Sequence, residues 1–465
     1  MAKKKVFVFL PDGVGLRNFA YTNFNDLGLE LGMDVVYWNN SIFPLQEKLG
    51  LNEVKIASNN LHPLTPIYSR ARKRIELNLW QAEFNDPVYD TYKFPLQYNT
   101  IKNATRSVLT SLLITKHGSQ KGLAVIKEKI KKLERKNPKY QYYKKQLEGH
   151  QPDFVLCTTQ RATQAISALL AAKDLGIPTA TFIYSWDNVP KAMLVVETDY
   201  YFVWSDLMKA EMLKYYPFLK DNQVIVTGTP QFEPHFNPNR ITPRAKFFAE
   251  YGLDETKKYI CFSGDDTTTS PLDQYYLEDL AVAVQNLNKE GYNLGIIFRK
   301  APVDHTGRYQ EIIEKYNQEI TEIAPAWKAI GKQWNTIFPE PYDFSLLSTV
   351  CEHSELVVNI CSSMVFDFAI HNKPCIYINY EQPQLKKGIR DIGQNYRYVH
   401  FRSMPSEKAV AWGTSKEALQ FTLENLLNDP KPVIAQAKKW FTVVAGKNPK
   451  GSSLEIWKAI ENILN

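Results

Sequence analysis

Residues 354–378, SELVVNICSSMVFDFAIHNKPCIYI, constrain the fold more than any other stretch of the chain. The apolar run Leu356–Ile360 reads as a buried parallel strand, because a strand covered on both faces shows a continuous apolar run rather than an alternation. It breaks at Cys361-Ser362-Ser363, and a helical pattern follows with Val365, Phe366, Phe368, Ala369 and Ile370 on its apolar side. Asn372-Lys373-Pro374 stops that helix, and Cys375–Ile378 starts another strand. The unit is strand, loop, helix, strand, with two adjacent hydroxyls at a helix N-terminus. Two readings of those serines are open. They suit a phosphate, which helix N-terminal N–H groups and the helix dipole attract, and they equally suit simple capping.

With 465 residues the chain has room for two α/β domains, each with its own core. Hydrophobic residues at 44% against 23% charged exclude a disordered chain. No apolar stretch approaches the ~18 residues a membrane span needs. In the opening MAKKKVFVFLPDG the apolar part is only Val6–Leu10, so it reads as a first strand and not as a secretory leader. Cys157, Cys261, Cys351, Cys361 and Cys375 have no metal-ligand spacing and read as buried thiols of a reducing cytoplasm. The net charge of +7 is unevenly spread: residues 121–145 hold ten Lys or Arg against Glu128 and Glu134, and Arg70, Arg72, Lys73 and Arg74 form a second cluster. Such patches suit an anionic membrane surface or acceptor, or are merely a solvated helix face. No nucleic-acid-binding pattern accompanies them, and no nucleic-acid partner is expected.

Strand-like and helix-like segments alternate along the chain. Lys5–Leu10 is expected as a strand, Gly15–Gly32 as a helix and Asp34–Trp38 as a strand, the usual opening of a doubly wound domain. Residues from about 60 to 150 read as inserted basic helices. The rhythm resumes with strands expected at Phe154–Thr158, Thr179–Ile183, Tyr200–Trp204 and Gln223–Thr227. Pro230–Pro243 reads as a linker. Strands are then expected at Tyr259–Ser263 and Asn293–Arg299, with a helix at Gln274–Glu290 between them. The expected organisation is a first domain over residues 1–235, a second over 236–450, and a terminal helix over 451–465 packing back on the first, with a cleft between two doubly wound Rossmann-like domains.

The pattern SSxxFDFAxxxKPxIY, Ser362–Tyr377, and the Gly228-Thr229-Pro230-Gln231 turn resemble two motifs of GT-B glycosyltransferases. Within them the chain looks most like the branch that holds CDP-glycerol glycerophosphotransferases and capsule-type glycosyltransferases. The two motifs are specific and the rest of the likeness is architectural. The resemblance implies a GT-B fold, a nucleotide-activated sugar held by the second domain, and a saccharide or lipid-linked acceptor entering from the first, at the cytoplasmic face of a membrane. It implies Ser362, Ser363, Gly264, Arg299 and Lys300 at the donor diphosphate and Asp367 at its ribose. No metal or other cofactor is required, since Arg299-Lys300 can offset leaving-group charge. The glycerophosphotransferase branch has a histidine where this chain has Ala301, which favours a sugar donor.

Two loops of the first domain supply candidate catalytic groups. Asp12, in the loop after the first strand, is a candidate general base, with Arg17 of the same loop on the acceptor. Asp187 is the rival base, in the loop Ser185-Trp186-Asp187-Asn188, where Trp186 and Asn188 have a sugar-binding composition or form a packed corner. His235, His305, His353 and His371 are isolated in sequence and read as structural. The competing functions are polyol-phosphate transfer on the same fold and a non-catalytic scaffold.

Overall fold

The computed structural model describes residues 3–56, 60–329, 337–385 and 391–465. The chain divides into two compact units, Met1–Pro230 with Ala445–Asn465, and Gln231–Val444. Each is built on one parallel sheet.

In the first unit the strands are β1 (Lys5–Leu10), β2 (Asp34–Asn39), β3 (Glu53–Lys55), β4 (Phe154–Cys157), β5 (Thr179–Phe182), β6 (Tyr200–Val203) and β7 (Val224–Val226). Their order is β3-β2-β1-β4-β5-β6-β7, parallel throughout. Val6–Leu10 and Phe154–Cys157 are fully buried, as strands covered on both faces must be. The order reverses between β1 and β4, and that is where doubly wound sheets open a crevice at their strand C-termini.

Five helices fill the region between β3 and β4: Thr65–Phe84, Val88–Thr91, Ile101–His117, Gln120–Arg135 and Pro138–His150. Leu123, Ile126, Ile130 and Leu133 recur at helical spacing and are buried, so the Gln120–Arg135 helix lays an apolar stripe on the core. Its basic side is partly neutralised. Lys127 pairs with Glu76, Lys131 with Glu128 and Glu197, and Arg135 with Asp174. Lys121, Lys129, Lys132, Lys136 and Lys145 are exposed. No described helix is long and apolar enough to cross a membrane.

The helix expected over Gly15–Gly32 is interrupted. It runs as Leu16–Phe19 and Phe24–Glu30, because the Thr22 hydroxyl bonds back to the Asn18 carbonyl and accepts from the Phe24 N–H, offering the backbone a turn instead. The last helix, Ser452–Leu464, belongs to this unit. The Trp457 ring stacks on Phe24 at 4.6 Å and its indole N–H donates to the Phe24 carbonyl at 2.7 Å. Gly28 makes room for it: a Cβ there would lie 2.4 Å from the Trp457 ring.

The second unit holds β8 (Lys258–Ser263), β9 (Leu294–Arg299), β10 (Ile320–Glu322), β13 (Ser354–Asn359), β14 (Cys375–Ile378) and β15 (Ala411–Gly413), with a small antiparallel pair, β11 (Trp327–Ala329) and β12 (Ile337–Pro339). The main order is β10-β9-β8-β13-β14-β15, again parallel, so its reversal falls between β8 and β13. The stretch expected to be a linker is a packed part of this unit. Pro230–Phe236 and Pro238–Arg240 form tight 3-10 turns, and Phe232 is buried against Phe441 with ring centroids 5.1 Å apart. Cys157, Cys261, Cys351 and Cys375 are buried free thiols, and Cys361 is half-buried.

Candidate active site

The loops that follow β8 and β13 meet at the reversal point of the second sheet, and they are the loops carrying Gly264 and Ser362-Ser363. The β13 loop turns sharply because Cys361 adopts a left-handed backbone, φ +46. A non-glycine residue held there marks a turn the surroundings impose. Two phenols impose it. Tyr396 Oη accepts from the Cys361 N–H at 3.2 Å, and Tyr377 Oη donates to the Ser362 carbonyl at 2.8 Å. Asn359 Oδ1 accepts from the Ser362 N–H at 3.2 Å. The serines then divide the two roles open to them. Ser362 Oγ accepts from the Met364 N–H at 3.3 Å, a capping contact, whereas Ser363 is exposed and makes no capping bond.

Across the reversal point, Gly264 is needed for packing: a Cβ would lie 2.9 Å from Tyr309 Oη and 3.3 Å from the Lys300 Cα. Arg308, a residue that sequence reasoning missed, braces the loop by donating to the Ser270 and Asp265 carbonyls while its Nε pairs with Asp304 at 2.8 Å. Tyr309 Oη donates to Asp273 at 2.7 Å. The two acids that argue against an anion here are both turned to internal use. Asp266 caps Thr268 and Thr269. Asp265 accepts from the Asp266 N–H, and burial together with the Asp273 and Asp266 charges pushes its carboxyl well above the usual range, toward the neutral form.

Arg299, Lys300 and Asp367 are engaged within the unit. Arg299 is 5% exposed and donates to Asp343 at 2.7 Å. Asp343 in turn accepts from the Ala326 N–H and the Trp327 indole. Lys300 is half-exposed and pairs with Glu322 at 2.9 Å. Asp367, expected on a ribose, is 4% exposed and lies 2.9 Å from His235 Nε2. His235 and His371, isolated in sequence, are in contact: His235 Nδ1 is 3.0 Å from His371 Nε2, and His371 Nδ1 is 2.7 Å from Glu352. Burial and the neighbouring His235 hold His371 below its ordinary pKa.

In the first unit the loops after β1, β4 and β5 converge at the C-terminal edge of the sheet. Gly15 permits the approach, since a Cβ would lie 2.3 Å from Thr158 Oγ1. Gly15 of the β1 loop thus serves packing. Asp12 begins a short turn, and among the described residues its Oδ1 accepts only from the Val14 N–H at 3.0 Å. Burial pushes its carboxyl above the usual range, against the Val14 N–H and the Arg161 charge. Arg17 is half-buried on the helix that follows. Asp187 is in a different state. It accepts from Ser185 Oγ at 2.5 Å, from Asn188 Nδ2 at 2.8 Å and from the Lys191 ammonium. Trp186 and Asn188 are 7% and 4% exposed, and Asn188 Oδ1 accepts from the buried Gln160 at 3.0 Å. The Trp-Asp-Asn composition here builds a packed corner, and only Asp12 of the two candidate bases has an acceptor largely unspent.

No protein-family model matches the chain, and no curated protein does. Solved structures match over its whole length. A glycosyltransferase from Rickettsia africae is 13% identical, with 99% of this chain and 100% of that one covered, at a TM-score of 0.52. The chain has the GT-B fold. S. aureus MnaA, solved with UDP, covers 99% and 97% at 13% identity and a TM-score of 0.52. The UDP-GlcNAc 2-epimerase of Methanocaldococcus jannaschii covers 99% and 99% at 13% and 0.51. At these identities the likeness is one of fold.

Proposed function

We infer that this chain is a nucleotide-sugar-dependent glycosyltransferase that acts on a saccharide or lipid-linked acceptor in surface polysaccharide or glycoconjugate synthesis. The observation that carries the reading is the convergence of the Gly264–Ser270 and Cys361–Ser363 loops on the reversal point of the second sheet, where doubly wound sheets bind their ligands. The donor diphosphate is assigned to Ser363, the backbone N–H groups beside it, and Lys300. Arg299 is a positioning residue that holds Asp343.

In the transfer step Asp12 takes the proton of the acceptor hydroxyl as that oxygen bonds to the anomeric carbon. The bond from this carbon to the diphosphate breaks, and its electron pair leaves on the nucleoside diphosphate. Such a base contributes about 10²–10⁴-fold. Lys300 and the loop N–H groups offset the leaving charge, so the step as drawn needs no metal. The exposed lysines of the Gln120–Arg135 helix are proposed to attract an anionic membrane surface.

The test is a thermal-shift panel of uridine, cytidine, guanosine and thymidine diphosphates and their sugars. A true donor at 100 times its Kd raises stability by about 2.7 kcal/mol. If none of them shifts the melting curve, the donor assignment fails. Turnover of a nucleotide-sugar into its epimer without an acceptor would replace transfer by the activity named for the M. jannaschii protein. Release of a nucleoside monophosphate from CDP-glycerol would replace it by polyol-phosphate transfer.

A further inference from the structure

A cavity of about 440 Å³ opens at the C-terminal ends of β14 and β15, beyond the nucleotide loops. This size lies within the ~300–1,000 Å³ of small-molecule sites. Tyr396, Phe401 and Trp412 wall it, and Asn379, Glu407 and Thr414 form an exposed rim.

The chemistry of the lining selects the ligand. The polar ends of two wall residues are already used: the Trp412 indole N–H donates to the Glu407 carbonyl at 3.0 Å, and Tyr396 Oη donates to the Ile378 carbonyl at 2.6 Å while accepting from Cys361. What those residues offer a ligand is ring surface. The rings meet at steep angles, 83° between Tyr396 and Trp412 and 67° between Tyr396 and Phe401. Those planes make a corner and not a parallel slot, which disfavours a flat base sandwiched between two rings and favours a puckered ring whose C–H groups pack on aromatic faces. Among the described residues the lining holds no Lys or Arg and one carboxylate, so it disfavours phosphate. The rim supplies a carboxylate, an amide and a hydroxyl whose side chains make no hydrogen bond among the described residues, the complement of several ligand hydroxyls.

We propose that this cavity is a saccharide subsite, separate from the nucleotide loops, that holds an uncharged sugar ring. Assigning that ring to the acceptor chain rests on the transferase reading; its binding does not. Tyr396 gives its ring to the cavity wall and its hydroxyl to Cys361, so the cavity and the turn that presents Ser363 share one residue.

The experiment is saturation-transfer NMR and calorimetry on the full chain with neutral hexoses, N-acetylhexosamines and their disaccharides, beside uridine diphosphate as the charged control. Saturable saccharide binding is expected. Glu407→Gln and Thr414→Val, both at exposed positions, are each expected to weaken it about tenfold, as losing one ligand hydrogen bond does. Uridine diphosphate affinity should not change in either variant. The proposal is overturned if no neutral saccharide saturates the wild-type protein, if both variants bind it as the wild type does, or if uridine diphosphate proves to be the ligand that Glu407→Gln alters. Nucleotide stabilisation on the same samples keeps the two readings apart. Saccharide binding without it removes the transferase and keeps the cavity, and the reverse result removes the cavity alone.

Discussion

Asp12 and Asp187 are the same residue type at strand ends of the same sheet, yet the structure gives them different chemistry. Asp187 spends its oxygens on Ser185, Asn188 and Lys191, whereas Asp12 accepts one backbone N–H and is pushed toward protonation by burial. Asp12→Asn should lower kcat by about 10²–10⁴. Because the Asp12 carboxyl sits above its ordinary range and must be ionised to act, activity should fall with decreasing pH before an ordinary carboxylate titrates. Asp187→Asn should instead lower the melting temperature and leave that pH limb in place. Steady-state kinetics against pH, with melting curves, checks both. Cys361 gives a second residue-scale prediction. At φ +46 a β-branched side chain is strained, so Cys361→Val should lower stability by at least about 1–2 kcal/mol, while Cys361→Gly retains the turn. Chemical denaturation of the two variants measures it, and equal stability of valine and wild type would show that the turn is not strained.

At the scale of elements, shifted groups on and beside helices give stability a pH dependence. Glu211 on the helix Asp206–Tyr215 is raised from an ordinary 4.5 to about 8, chiefly by burial. The folded chain keeps that proton between about pH 4.5 and 8 while the unfolded chain has lost it, so stability declines as pH rises through this window. Glu211→Gln should match the wild type near pH 5 and melt higher at pH 9; an offset equal at both would overturn the account. The sign is opposite for His371. The unfolded chain takes up its proton first as pH falls below about 6.5, so the second unit should lose stability from pH 7 toward pH 5, and His371→Gln should flatten that slope. The long strands were legible because continuous apolar runs such as Val6–Leu10 admit few other folds. The edge strands β3, β10 and β15 were not, since none of their three-residue stretches is a continuous run of β-branched apolar residues, whereas the equally short β7 is one and was expected. The turn at Ser362-Ser363 was legible as a motif, but the partners of Asp367 were not. His235 lies 132 residues away from it, and nothing local to either residue signals their contact.

For the whole molecule, the fold could be read from the alternation of segments. What could not be read is how much depends on one side chain. Trp457 is fully buried, fills the gap left by Gly28 and stacks on Phe24. Trp457→Ala should destabilise the first unit by about 3–5 kcal/mol, with the second unit's melting unchanged in calorimetry. A single transition displaced as a whole would mean that the two units do not melt separately.

The discontinuity of the first unit also sets an order of events during synthesis. Its sheet is complete once β7 has emerged, but the indole that closes the pocket over Gly28 comes only after Gln231–Val444 has been made. At roughly 5–20 residues per second the ribosome needs about 10–40 s for that stretch. For that interval the nascent chain displays Phe24 without the indole that stacks on it. Residues made after the whole second unit thus act as the latch of a unit begun before it.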